Sequence, residues 1–216
     1  MQTKRMRKLS NNKMTFHLLK EDNNELAQAI KLFVETFKTE TITAHTYNFN
    51  HELTEKQYYK ASLLNAKLCI KQGHDIIIAK INDTMVRVSI IKKVPQNSLF
   101  DTLRIIFPEA FKLLPLLTKI NYRNAFSMSK TMKLTYPLKE NYVTLAAIAV
   151  TSDYQGKGVG KQLLNEIHQR YKKDFESIYL YTADEKNKDL YSHIGYEMVE
   201  RKQASHFSVY HMIYRF

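Results

Sequence analysis

The sequence predicts a mixed α/β domain (an α+β arrangement): a twisted, mostly antiparallel central sheet of about seven strands flanked by helices, with a helical insertion before the central strand. Three observations carry that prediction. An apolar run, Val143-Thr144-Leu145-Ala146-Ala147-Ile148-Ala149-Val150, feeds the glycine-rich turn Tyr154-Gln155-Gly156-Lys157-Gly158-Val159-Gly160-Lys161, after which Val159, Leu163, Leu164 and Ile167 recur on one helical face. Two amphipathic stripes of helical period precede this unit. Pairs of short β-rich runs, at 75–92 and 196–216, supply antiparallel partners.

In chain order, residues 1–13 carry Lys4, Arg5, Arg7, Lys8 and Lys13 with little apolar content and read as a disordered basic tail, leaving 14–216 as one domain. Residues 14–19 suit a first strand. Asn23 or Asn24 caps a helix whose Leu26, Ile30, Phe33 and Phe37 share a stripe. A polar, aromatic-rich connector covers 39–52. Thr54-Glu55-Lys56-Gln57 has the spacing of a capping box, so a second helix is expected to open there, with Tyr58, Ala61, Leu64 and Leu68 in line and Gly73 at its end. Asn82-Asp83, between the runs 75–81 and 84–92, suits a tight hairpin.

Residues 94–141 are too many for a structureless connection. Ser98 opens a helical pattern in which Leu103, Ile106, Phe107, Phe111, Leu114, Leu117 and Ile120 are interrupted by Pro108 and Pro115, which predicts short helices. Met128, Met132, Leu134 and Tyr136 continue this apolar set, which reads as a helical lid on the sheet and equally as one wall of a substrate pocket. Past the glycine turn, 176–182 alternates Ile178 and Leu180 with Tyr179 and Tyr181, as in a half-buried strand. Residues 187–193 are helix-compatible and stop at Gly195. Runs 196–202 and 209–216 close the chain as strands, and the aromatic last strand offers an edge for a homodimer.

At 216 residues with 44% hydrophobic content, the chain can bury a full core. No apolar run approaches the ~18 residues of a membrane span, so no membrane partner is expected. The first residues lack the apolar core of a secretion signal, and a cytoplasmic location is expected. The single Cys69 rules out an internal disulfide and a cysteine-based zinc site, no metal is expected, and Cys69 reads as a buried small residue. Five of the twelve net positive charges fall in the tail and the rest are dispersed, without basic clusters interleaved with aromatics, so nucleic acid is not an expected partner. A basic surface does suit a polyphosphate-bearing ligand.

The glycine turn at the start of a helix is built for phosphate, because successive outward amides and the positive end of the helix dipole converge there. It fails the P-loop register: anchored on Gly160-Lys161, that pattern puts Gln155 at the first glycine and Gln162 at the magnesium-binding hydroxyl. It fails the dinucleotide pattern as well, since Gly156-x-Gly158 is followed by Lys161 and Gly158-x-Gly160 by Leu163. What Gln155, Gly158 and Gly160 do match is Gln/Arg-x-x-Gly-x-Gly/Ala. With the strand ahead of it, Asn187, and Leu190-Tyr191-Ser192-His193-Ile194-Gly195-Tyr196 downstream, the segment resembles the GNAT superfamily of acetyl-coenzyme A-dependent N-acetyltransferases.

That resemblance implies the GNAT fold over most of residues 15–216, with acetyl-coenzyme A as co-substrate. It implies that amides of Gln155, Gly156, Lys157, Gly158, Val159, Gly160 and Lys161 hold the coenzyme's pyrophosphate. Main-chain groups of Ile148, Ala149 and Val150, left unpaired where the central strand splays from the next, would bond the pantetheine arm and polarise the thioester carbonyl. Asn187 resembles the side chain that contacts that arm, although it also suits a helix cap. Tyr191 resembles the phenol that protonates the departing thiolate. The implied acceptor is a primary amine of a small molecule or peptide. An amine with a pKa of ~10 must lose a proton before it attacks. The central strand has no carboxylate where many relatives carry one, so Glu35, Glu40, His45, Glu109 and Glu140 stand as candidate bases, with ordered water and Tyr142 as another route. The missing carboxylate also suits an alternative, a non-catalytic acyl-coenzyme A-binding regulatory module.

Overall fold

Seven strands pair into one sheet in the order β1-β2-β3-β4-β5-β7-β6. The strands are β1 (Met14–Leu19), β2 (Asp75–Ile81), β3 (Thr84–Lys92), β4 (Tyr142–Val150), β5 (Ser177–Thr182), β6 (Glu197–Gln203) and β7 (Ser208–Arg215). The helices are α1 (Asn24–Phe37), α2 (Thr41–Thr46), α3 (Glu52–Lys71), α4 (Tyr122–Met132), α5 (Val159–Tyr171) and α6 (Glu185–His193), and a 3-10 turn (Ser152–Tyr154) follows β4. This computed structural model describes residues 14–20, 23–50, 52–93, 120–155, 159–204 and 207–216. The expected basic tail, the helices expected between Ser98 and Leu117, Glu109, and Gly156, Lys157 and Gly158 lie outside the described residues.

Local chemistry accounts for most boundaries. The Asn23 side chain accepts from the amides of Glu25 and Leu26 and starts α1, which buries Leu26, Ala29, Ile30 and Val34. Asn82 and Asp83 take φ of 49° and 62°, a left-handed pair that fits the twist of a tight hairpin between β2 and β3. The sheet is covered on both faces. On one side Leu26, Ile30, Val34, Ala66 and Cys69 pack on Ile76, Ile78, Val88, Ile90 and Ala149. On the other, Leu163, Leu164, Ile167 and Tyr171 pack on Ile77, Ile91, Val143, Leu145, Ile178 and Leu180. Each such fully buried aliphatic side chain contributes about 1.5–3 kcal/mol, so these two layers fix the helices on the sheet. No helix among the described residues is long and apolar enough to cross a membrane.

Four expectations need correction. The connector over 39–52 contains α2, whose amide of Thr43 donates to the Glu40 carboxylate at 3.0 Å; its Thr, Ile and His residues are weak helix formers and hid it. Helix α3 starts at Glu52, so Thr54 and Gln57 sit inside the helix, buried, with Thr54 Oγ1 and Gln57 Oε1 unpartnered, instead of forming a capping box. Strand β5 is buried on both faces at Ile178, Tyr179 and Leu180, because β4 and β7 flank it and helices cover both layers. Strand β7 lies between β5 and β6, so it offers no free edge to a second copy.

Candidate active site

The site is built around a break in the sheet. Strands β4 and β5 pair in parallel only from Tyr142–Ser177 to Thr144–Tyr179. From Leu145 to Val150, β4 keeps its β3 partners except at Ala146, and among the described residues it has no partner on its β5 side. The register shows why: Ile91 pairs with Leu145 and Ile90 with Ala147, so Ala146 is an extra residue, and such a bulge bends a strand and raises its twist. Ile148 and Ala149, opposite Ser89 and Val88, therefore lie on the stretch of β4 whose β5 side is unpaired. Val150, opposite Arg87, ends that stretch.

The chain leaves β4 through the 3-10 turn, and Gln155 closes it. The Gln155 side chain donates to the Val150 carbonyl at 3.2 Å, and its amide donates to the Ser152 carbonyl at 3.2 Å. The Gln155 amide is thus engaged within the turn, in contrast to the outward amide expected there, and the Val150 carbonyl already has a donor. Val159, Gly160 and Lys161 form the first turn of α5, where backbone amides lack intrahelical acceptors. A Cβ on Gly160 would stand 3.9 Å from Leu190 Cδ2, so the start of α5 lies against α6.

Helix α6 brings the remaining residues to this point. Asp184 is its cap, accepting from the Asn187 amide at 3.0 Å, which leaves the Asn187 carboxamide exposed on the first turn. Tyr191, one turn further, packs against Tyr196 with ring centroids 5.5 Å apart. Burial, with the Asp184 carboxylate adding to it, pushes the Tyr191 phenol up to about 12. It is a neutral hydrogen-bond donor at any physiological pH.

One residue here escaped the sequence reading. Arg87 is 0% exposed, shares a cross-strand row with Ala79 and Val150, and has Nε and Nη1 without hydrogen-bond partners. Burial lowers its pKa to about 10. The only sequence signal was one basic residue between Val86 and Val88.

The candidate bases separate. Glu140 accepts from Arg215 Nε at 3.0 Å ahead of β4, at the end of that strand remote from Val150. Glu35 is exposed on α1 in a groove shared with Lys31 and Lys56. Tyr142 lies at the start of β4, within its paired part. Glu40 caps α2, and His45 lies in its last turn with Nδ1 2.7 Å from the Thr41 carbonyl.

Residues 131–198, which span β4, α5, β5 and α6, match the family model of the acetyltransferase (GNAT) domain. No curated protein matches the chain. Its fold is similar to that of histone acetyltransferase HPA2 and related acetyltransferase from Corynebacterium glutamicum ATCC 13032, at 15% identity and a TM-score of 0.62 over 92% of this chain and 95% of that one. It is similar to N-acetyltransferase from Staphylococcus aureus Mu50, at 9% identity and a TM-score of 0.56 over 94% and 98% of the two chains. It is also similar to yncA from Salmonella typhimurium with its cofactor acetyl-CoA, at 14% identity and a TM-score of 0.52 over 94% of each. At such identities the likeness is one of fold. The match to the acetyltransferase (GNAT) domain thus falls on β4, α5, β5 and α6, the elements around the break in the sheet, within a fold similar to that of these structures.

Proposed function

We propose that this acetyltransferase moves the acetyl group of acetyl-coenzyme A onto a primary amine of a small molecule or peptide by direct attack of the amine. The observation that carries this reading is the unpaired edge of β4 from Leu145 to Val150, beside the first turn of α5. A strand edge with free main-chain groups suits an extended amide-containing arm. A helix start with free amides suits its diphosphate.

The coenzyme supplies an acyl group activated as a thioester. Val159, Gly160 and Lys161, with Gly156, Lys157 and Gly158 ahead of them, hold its diphosphate through backbone amides. Ile148 and Ala149 hold the arm, and an amide of this edge stabilises the negative charge that develops on the carbonyl oxygen as nitrogen attacks. Asn187 reaches the arm from α6. Tyr191 is the general acid for the departing sulfur; the dry surroundings that raise its phenol also raise the proton affinity of a thiolate above its usual ~8.5.

Acetyl-coenzyme A should raise the melting temperature of the purified chain, and amine-dependent release of free thiol should follow. Absence of any shift at millimolar ligand would sink the reading. A shift without turnover on any amine would favour the non-catalytic binding module.

A further inference from the structure

We propose that a cavity of about 590 Å³ between α2, α3, α4 and β5 is the acceptor site, that it takes a monoamine with an aromatic or branched aliphatic body, and that Glu40 receives the amine's proton. The proposal rests on the acetyl-transfer reading above.

Tyr58, in the cavity wall, belongs to the same core cluster as Ala149, against which Tyr47, Ala146 and Ala147 also pack. The wall therefore belongs to the same side-chain layer as the segment of β4 that β5 abandons. Tyr181, also in the wall, lies two residues beyond Tyr179, the last β5 residue paired with β4. Helix α5, whose first turn is assigned to the coenzyme, packs on the opposite face of the sheet. The gap between β4 and β5 thus joins a donor side to an acceptor side.

The lining sets the class of ligand. Tyr47, Tyr58 and Tyr181 with Met128 and Met132 make a surface of rings and thioethers, and the Tyr47 and Tyr58 rings are 5.1 Å apart at 52°. Such surfaces hold apolar bodies, and ring faces attract a cation. The volume falls within the range of small-molecule sites.

Charge narrows it further. The Glu40 carboxylate accepts from the amide of Thr43 at 3.0 Å and from its hydroxyl at 3.1 Å through one oxygen, and Thr43 lines the cavity. Its charge bears on both Tyr58 and Tyr181, whose phenols burial pushes up to about 12. Among the described residues no other carboxylate acts on these two phenols. Lys133 also lines the cavity and repels a second ammonium, which favours a monoamine over a polyamine.

The entering ammonium gives one proton to Glu40 and becomes nucleophilic. Its nitrogen forms the C–N bond while the C–S bond breaks and sulfur leaves with the electron pair. Tyr191 protonates the sulfur, and the second nitrogen proton replaces through solvent the one Tyr191 gave. One ammonium and one thioester yield one amide, one thiol and one proton.

The test uses the full chain, 2-phenylethylamine, spermidine and a peptide with a free amino terminus, followed by thiol release and by calorimetry of amine binding with coenzyme present. Phenylethylamine should exceed spermidine and the peptide by at least about tenfold in kcat/KM. Glu40→Gln should lower that value about tenfold or more and weaken amine binding, with the acetyl-coenzyme A melting shift unchanged. Ala125→Phe, which narrows the cavity from α4, should raise KM several-fold with kcat less affected. Preference for spermidine or the peptide overturns the proposal, as does indifference of phenylethylamine kinetics to both variants. Loss of the melting shift in the unsubstituted chain would instead refute the acetyl-transfer reading.

Discussion

His168 Nε2 lies 3.1 Å from the Tyr196 hydroxyl, and the His168 ring stacks on Tyr214 at 3.9 Å, so α5 is tied to the end of the chain through an imidazole. Burial lowers the His168 pKa to about 4. An unfolded histidine titrates near 6.5, so between that value and about 4 the unfolded chain binds more protons than the folded one. The contribution of His168 is therefore fully present above pH 6.5 and lost as pH falls towards 4, with a span of about 3 kcal/mol. Urea unfolding at pH 7 and at 4.5 should show the wild type losing more stability than His168→Phe, which keeps a stacked ring without a titrating group. Equal losses in the two proteins would contradict this.

Arg87 predicts a gain from a substitution. A fully buried guanidinium with Nε and Nη1 unpartnered carries a desolvation cost that no described interaction offsets. Arg87→Met keeps most of the volume and removes the charge, and should stabilise the ligand-free chain by about 1–2 kcal/mol in urea unfolding. Arg87→Lys retains a buried charge and should give no such gain. A destabilised methionine variant would show that the guanidinium has a partner in the folded protein.

Two glycines should respond with opposite signs. Gly195 has φ of 104°, and a Cβ there would stand 3.2 Å from Tyr214 Cε2, so Gly195→Ala combines left-handed strain with a close contact against a packed ring. It should cost about 1–2 kcal/mol. Gly160 sits in the first turn of α5 without a positive φ, and its added Cβ would meet Leu190 at an ordinary 3.9 Å. Gly160→Ala should stabilise by about 0.5–1 kcal/mol through the unfolded chain. Thermal melts of the two variants decide both signs.

Much of the fold was legible because local signals agreed with tertiary demands. The Asn23 cap, the Asn82-Asp83 hairpin, and the strand-turn-helix around Gly160 each carry their chemistry in adjacent residues. Thr54-x-x-Gln57 misled because the capping spacing recurs by chance inside a helix whose start lies upstream at Glu52. The break between β4 and β5 was expected from family resemblance alone, since the Ala146 bulge behind it leaves no mark in an Ala-Ala step. Arg87 was not legible, and Glu40 stood as only one of five candidate bases, because what distinguishes each is the company that pairing and packing bring from distant segments.

Tyr191 yields the sharpest functional prediction. With its phenol held near 12, it is protonated throughout the working range, so kcat should show no basic limb from this group below about pH 10. Tyr191→Phe preserves the ring packed against Tyr196 and removes only the donor, so acetyl-coenzyme A should still raise the melting temperature to the same extent. Turnover should drop by about 100-fold, the scale of a lost general acid. The loss should shrink for acyl thioesters whose thiols have low pKa values, because a better leaving group needs less protonation. An equal loss across leaving groups, or a parallel loss of coenzyme affinity, would assign Tyr191 to packing against Tyr196 and leave protonation of the sulfur to solvent.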